Sequence, residues 1–345
     1  MPNGFLLARP QSQRIELRKE SPHTRPCGIL SPVTEFQLIA AIQPLLTSQP
    51  QVVAGIGDDC AILEMGGPDH VLLKTDAVVE GVHFLSTTEP ERVGHKALAR
   101  SLSDIAAMGG TPTAAVVTLG LPAGFDSERV LAMYRGMNAL ASRYGVAIVG
   151  GETTANPGAW LISVTVVGTV PKGQAMRRSS AKVGDAIFVS GELGGSLDGH
   201  HLDFEPRLVA GRWLRETGWV DAAIDITDGL TGDLPHILAA SGGFGAELLG
   251  SAIPISKAAR TRFATGASSK PPLLAALTDG EDFELLWTCA PGNAVRILDG
   301  WKLAFPDVSI RCIGRVVAEP GVRLRDSHGI QRLPDTGYDH FSPAI

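Results

Sequence analysis

The chain reads as an α/β (α+β) protein in two parts, and three observations predict it. Apolar strand-like runs alternate with stretches of helical periodicity from residue 35 to residue 317. A length of 345 residues favours two hydrophobic cores over one. A polar, basic stretch over 171–185, PKGQAMRRSSAKVGD, interrupts the alternation near Val170. The expected division is therefore a first domain over 34–170 and a C-terminal α/β domain over 171–345. Residues 1–33 carry Arg9, Arg14, Arg18, Lys19 and Arg25 with almost no apolar periodicity, and are expected to form a mobile extension.

The elements follow in order. Thr34 is a possible N-cap for a helix whose apolar face is Phe36, Leu38, Ile39, Ile42, Leu45 and Leu46. CAIL and VLLKTD are strand-like, and a helix is expected over 90–108. AAVVTLGL is a strand, and a helix over 127–144 is closed by Gly145. VAIVGG and WLISVTVVG complete the first series. After the basic stretch come AIFVSG, a helix over 206–217, AAIDI, a helix over 229–240, GAELL and a helix over 257–264. FELLWTC, a further helix and VSIRCIGRVV complete the second. No repeat of 20 to 50 residues is visible.

Composition excludes several classes. Hydrophobic residues make up 44% and charged residues 19%, ordinary for a globular protein, and a net charge of −6 lacks the basic footprint of a nucleic-acid or membrane-surface binder. The uncharged stretch 105–125 contains Gly109, Gly110, Pro112, Gly120, Pro122 and Gly124. It therefore reads as a helix end, a loop and a buried strand rather than a membrane span. No secretory signal is visible. Cys27, Cys60, Cys289 and Cys312 show no C-x-x-C spacing and are expected to be isolated thiols in a reducing cytoplasm.

The chemistry lies in the acids. Asp58 and Asp59 sit behind a Gly-x-Gly turn, Asp76 ends VLLKTD, and Glu152 follows VAIVGG. Asp225 and Asp228 lie in AAIDITDGL, and Asp104 near the end of a helix. Singly, each has a structural reading: Asp228-Gly229 is a turn dipeptide, and Asp104 is spaced to pair with Arg100. Together, carboxylates at element ends point to one crevice, and acids gathered there repel one another unless cations compensate. An oxygen-only donor set without a His or Cys cluster suits Mg²⁺, and the commonest reason to gather Mg²⁺ is a polyphosphate. No Gly-Lys dipeptide is present, so there is no P-loop, and GIGDDC has Cys60 where a dinucleotide fingerprint needs its third glycine.

The chain resembles the thiamine-monophosphate kinases, of the superfamily that includes aminoimidazole ribonucleotide synthetase, selenophosphate synthetase and a hydrogenase-maturation protein. The resemblance runs from residue 35 to residue 341 through ordered blocks: EFQLI, GIGDDCAIL, TDAVVEGVHF, HKALARSLSDIAAMGG, GGETT, RRSSAKVGD, DITDGLTGDLPHI, DGEDFELLWT and GYDHF. It implies the two-domain aminoimidazole ribonucleotide synthetase-like fold, with an ATP-binding N-terminal domain that joins its partner in a homodimer. Carried over by position, it implies Mg²⁺ ligands at Asp59, Thr75, Asp76, Asp104, Asp225 and Asp228, with Asp58 adjacent and Glu152 where the family has Asp. It implies ATP contacts at Gly151, Glu152, Arg178 and Thr227, and thiamine monophosphate contacts at His83, Glu281 and Tyr338. For these last three the residues alone also allow a core histidine, a solvated turn and a surface anchor.

Three positions depart from the usual family pattern: Glu152 is one methylene longer, Lys74 stands where Ser or Thr is common, and Asp279 replaces a glycine. His200 and His201 read as loop residues. The implied reaction is phosphoryl transfer from ATP to thiamine monophosphate in the cytoplasm. Its nucleophile is already an anionic phosphate oxygen, so no general base is expected. The alternatives are another ATP-dependent synthetase of the superfamily and a non-catalytic nucleotide-binding homologue.

Overall fold

A computed structural model describes residues 34–327 and 329–334. The expected extension 1–33, with Cys27, and the implied contact Tyr338 lie outside the described residues.

Helix α1 (Glu35–Ile42) starts at Thr34 with a capping box. Thr34 Oγ1 accepts from the Gln37 N–H at 3.3 Å, and the Thr34 N–H donates to Gln37 Oε1 at 3.1 Å. On its apolar stripe Leu38 and Ile42 remain exposed, as do Leu45 and Leu46 just beyond it.

The first sheet contains β1 (Val52–Ala54), β2 (Ala61–Leu63), β3 (Asp69–Val79), β4 (Thr111–Leu121), β5 (Ala147–Ala155) and β6 (Leu161–Pro171). Its strand order is β1-β2-β3-β6-β4-β5, antiparallel except for β4 with β5. In β6 every second residue, Ile162, Val164, Val166 and Val170 among them, is buried on the side covered by helix α2 (Pro90–Ala107), against which α3 (Ser127–Tyr144) packs in turn, as period-two alternation requires. The opposite face leaves Leu73 and Val116 exposed, and edge strand β5 exposes Val149 at 65%. Helix α3 begins at Asp126, whose side chain accepts from the Glu128 N–H at 2.9 Å, and closes at Gly145 in the left-handed region, φ 67°.

Two strands run further than the sequence suggested. β3 pairs with β6 through Val79, so Asp76 lies inside a strand rather than at its end, and β5 continues through Glu152 to Ala155. A continuous partner strand keeps the ladder satisfied past a charged residue, and Asp76 has Lys74 on its own face while Glu152 is exposed.

The second sheet follows a connecting segment, 172–185. It contains β7 (Ala186–Ser190), β8 (Ala222–Asp225), β9 (Gly245–Leu249), β10 (Leu285–Cys289), β11 (Ile310–Val317), β12 (Gly321–Asp326) and β13 (Gly329–Arg332), in the order β13-β12-β9-β11-β7-β10-β8. Around it lie α4 (His200–Asp203), α5 (Leu208–Thr217), α6 (Leu230–Ala240), α7 (Lys257–Ala264), α8 (Pro272–Thr278) and α9 (Pro291–Ala304). β8 and β10 are buried at every residue, which explains their unbroken apolar runs. One face packs on Leu230, Leu234, Ile237 and Leu277 of α6 and α8. The other stacks Phe188, Trp287 and Trp301, with successive ring centroids 5.5 and 5.6 Å apart.

That aromatic layer is continuous with the core of the first sheet, and α2 lies between the two. Thirteen of its 18 residues are buried, among them the polar Lys96, Ser101, Ser103 and Asp104. Its approach to α3 is set by reciprocal glycines. A Cβ on Gly94 would lie 1.9 Å from the Met133 carbonyl oxygen, and one on Gly136 would lie 1.9 Å from that of Glu91.

The sequence missed β1, α8, β12 and β13. It also read His200 and His201 as loop residues, whereas both belong to α4 and His201 is buried.

Candidate active site

Asp59 comes from the turn before β2, Asp104 from the last turn of α2, and Asp225 from the end of β8. These three segments, distant in the chain, bring carboxylate oxygens within 4.8 Å of one another. All three side chains belong to buried residues, 4%, 5% and 3% exposed. Lys74 and Asp76 occupy one face of β3 beside them, because residues two apart in a strand share a face. Lys74 Nζ lies 2.7 Å from Asp104 Oδ1 and 3.5 Å from Asp76 Oδ1. Arg178, in the connecting segment, donates to Asp59 Oδ1 through Nε at 3.0 Å and through a terminal nitrogen at 2.5 Å.

Four carboxylates here touch two cations, Lys74 and Arg178, and the Arg100 charge also acts on Asp76, so full ionisation still leaves negative charge uncompensated. Burial pushes the carboxyls of Asp59, Asp104 and Asp225 above their ordinary values, outweighing Arg178 and Lys74, and the neighbouring acids add to the rise. Asp225 is pushed up to about 7, even though Ser103 donates to its Oδ2 at 2.5 Å. For Asp76 burial works upward too, but the charges of Lys74 and Arg100 and hydrogen bonds from Asp104 and Ser101 hold it below its ordinary value. Lys74 is raised despite burial by the Asp104 and Asp76 charges. A hard divalent cation fits these residues: the donors are all oxygen, they converge, and in its absence protons must supply part of the missing charge.

The remaining residues singled out by sequence divide into three groups. Asp58 turns away from the cluster, accepting from the Arg178 N–H at 2.8 Å and from Arg177 Nε at 2.9 Å, and so anchors the connecting segment. Thr75 points to the opposite face of β3, where its hydroxyl meets Ser163 and Thr165. Gly151 and Glu152 lie on β5. There a Cβ at Gly151 would lie 1.8 Å from the Val117 carbonyl oxygen, and Glu152 is exposed.

The third group lines a small recess of about 120 Å³ bounded by His83, Arg100, Leu197, Thr227, Asp228 and Glu281, among others. Its floor is two interlocked turns. The N–H groups of Thr227 and Asp228 both donate to buried Asp233 Oδ2 at 2.9 Å, and the Glu281 N–H donates to the Thr227 carbonyl at 2.7 Å. Gly280 has φ 72°, and a Cβ there would lie 2.7 Å from the Thr227 carbonyl oxygen. Glu281 and Phe283 hold φ values of 53° and 51°, which non-glycine residues seldom adopt and which cluster at ligand sites.

Three side-chain arrangements revise the sequence reading. Asp104 pairs with Lys74 rather than with Arg100, which donates instead to the Ala77 carbonyl at 3.3 Å. The added charge of Asp279 is met by Lys270 at 2.5 Å. Asp282, next to Glu281, is 1% exposed and not part of a solvated turn. Sequence reasoning also missed Lys96, Arg177, Ser103 and Asp233. The one available signal was Lys96 falling within the apolar stripe of α2, three residues after Val93.

Residues 57–170 match the family model described as AIR synthase related protein, N-terminal domain. A thiamine-monophosphate kinase of Rhodopirellula baltica is 41% identical over 315 residues, which cover 89% of this chain and 97% of that protein. The chain belongs to the thiamine-monophosphate kinase family. Two solved structures extend the likeness across the fold of this thiamine-monophosphate kinase family member. AaThiL complexed with AMPPCP and TMP superposes with a TM-score of 0.73 at 31% identity, covering 90% of this chain and 97% of that one. The thiamine-monophosphate kinase from Stenotrophomonas maltophilia K279a gives 0.67 at 33% identity, covering 84% and 96%. No helix among the described residues is long and apolar enough to cross a membrane.

Proposed function

We propose that the acidic cleft transfers the γ-phosphoryl group of ATP to thiamine monophosphate, giving thiamine diphosphate and ADP. The observation that carries the reading is the convergence of Asp59, Asp104 and Asp225 from three segments into one buried group. Family membership and a relative solved with AMPPCP and TMP support the choice of substrates.

A phosphate oxygen of thiamine monophosphate attacks the γ-phosphorus, and the bond to the β–γ bridging oxygen breaks with ADP leaving. The nucleophile carries its own negative charge, so none of these carboxylates acts as a general base. Asp59, Asp76, Asp104 and Asp225 are the residues proposed to hold Mg²⁺, with Asp228 and Glu152 at the margins, Asp58 acting through the backbone it fixes, and Thr75 through its place in β3 between Lys74 and Asp76. When bound, Mg²⁺ supplies charge neutralisation for two approaching phosphates. Arg178, held by Asp59, offers a preset cation to the triphosphate, with Gly151 and Thr227 as further ATP contacts. His83, Glu281 and Tyr338 are proposed to position the thiamine, whose thiazolium cation suits an acidic recess.

The N-terminal domain (34–170) is proposed to bind ATP and to pair with a second copy through its uncovered sheet face and α1, which expose Leu73, Val116, Val149, Leu38 and Ile42. Use of ATP makes the cytoplasm the proposed setting.

Incubation with ATP, Mg²⁺ and thiamine monophosphate is expected to yield thiamine diphosphate, scored by mass. ATP binding without that product would contradict the reading.

The raised carboxyls give a pH prediction. Between the ordinary value of 3.8 and about 7, the folded protein retains protons that the unfolded chain has released. The stabilisation is therefore complete below about pH 4 and lost as pH rises through about 7. With chelator present, calorimetry is expected to show the unfolding temperature falling from pH 5 to pH 8. Saturating Mg²⁺ should restore more of it at pH 8 than at pH 6, because binding displaces those protons.

A further inference from the structure

We infer that Lys96 is a positioning residue for the phosphoryl acceptor, fixing the two walls of the recess to each other. The inference rests on the proposal that Glu281 and His83 contact thiamine monophosphate.

Lys96 is fully buried on α2. Its ammonium donates to Glu281 Oε2 at 2.8 Å and to the His83 carbonyl oxygen at 2.7 Å. One group thus ties α2 to the turn after β3 and to the turn before β10, segments 185 residues apart in the case of Glu281. A buried ammonium is costly even when paired, and an apolar side chain would fill an interior helix position at less cost. The return is geometric: both turns it holds line the recess.

The Glu281 end needs holding. Its backbone sits at φ 53°, and its side chain remains 21% exposed. Without Lys96 the carboxylate is free to rotate toward water, and the His83 turn loses its link to the second sheet. At the other wall the Val79 N–H donates to His83 Nδ1 at 3.1 Å, which orients the ring from the strand side.

The charge on Lys96 is delicately held. Burial pulls it down to about 8 against the opposing pull of Glu281, and Arg100 on the same helix lowers it further. The ionisable groups facing it are Glu281, His83, Arg100 and, from α4, His201. Burial lowers His201 below the ordinary imidazole value, and the second ionisation of the acceptor phosphate lies at about 6, so neither changes charge between pH 7.5 and 9 as Lys96 does.

The test is a split of Michaelis constants. Lys96→Met is expected to raise KM for thiamine monophosphate about tenfold to a hundredfold, the worth of a hydrogen bond to a charged group, with KM for ATP within about twofold. Lys96→Arg, which keeps the charge and several donors, should recover part of the loss. In the Glu281→Gln background Lys96→Met should raise the acceptor KM less than it does alone, because the charged contact is already gone and the hold on the His83 carbonyl is the main part left to lose. An unchanged acceptor KM in Lys96→Met, or equal rises for both substrates, overturns the inference.

If Lys96→Met does not fold, the pH profile of the unaltered enzyme decides. The acceptor KM should rise between pH 7.5 and 9 while KM for ATP stays level; a level acceptor KM refutes the role. His83→Ala and Glu281→Gln separate the two claims. If neither shifts the acceptor KM, the contact reading itself fails, whereas if both shift it and Lys96→Met does not, only the inference about Lys96 fails.

Discussion

Asp104→Asn is expected to lower kcat by about a hundredfold to a thousandfold while leaving the protein folded, the scale of loss when a preorganised electrostatic contribution to a transition state is removed. Asp104 is the member of the acid cluster that also touches Lys74, so it joins the carboxylate group to the strand carrying Asp76. Asn keeps the shape and one oxygen but loses the charge that holds a divalent cation. Folding is expected to survive, because Lys74 retains Asp76 at 3.5 Å and one buried negative charge disappears from a group that repels itself. Steady-state kinetics at saturating Mg²⁺, with circular dichroism of the same sample, check both halves. Near-normal turnover would remove Asp104 from the machinery.

Gly94→Ala is expected to cost about 2–3 kcal/mol or more of stability, at the upper end of overpacking penalties, because the clash is with backbone. The new methyl would lie 1.9 Å from the Met133 carbonyl oxygen and 3.0 Å from the Met137 nitrogen, neither of which can rotate away. The helices must separate, and the damage reaches the site, because α2 carries Lys96, Ser101, Ser103 and Asp104 along its buried face. Activity should therefore fall together with the denaturation midpoint. Gly145→Ala is the control: nothing lies within 4 Å of its Cβ, so only the strain of φ 67° is added. Equal midpoints for Gly94→Ala and the unaltered protein would show that the two helices are not in direct backbone contact.

Much of the framework was legible in the sequence because local signals agreed with one another. The Thr34 cap, the helix over 127–144 closed by Gly145, and the apolar runs of β7, β8 and β10 each follow from short-range chemistry. The conjunction of Asp59, Asp104 and Asp225 was legible only as a set, through the ordered motif blocks, since nothing local in SLSD or AAID states which segment each acid meets.

What escaped was long-range. Sheet pairing carried β3 past Asp76, and the pairing of Lys74 with Asp104 over a separation of 30 residues displaced the helical Arg100 partner that spacing alone suggested. Period-two alternation, once β3 was known to be continuous, turns Thr75 away from its neighbours. Asp58 and Asp59, adjacent in sequence, divide between anchoring the connecting segment and joining the cluster, a choice made by Arg177 and Arg178 from 119 residues away.

The proposed phosphoryl transfer requires that divalent cations gather at Asp59, Asp104 and Asp225. Crystals grown with Mn²⁺ and a non-hydrolysable ATP analogue test it through anomalous scattering. The expected result is at least one strong anomalous peak within bonding distance of these carboxylates, beside the analogue's phosphates. Ordered analogue with manganese bound elsewhere, and no peak among the three, would contradict it.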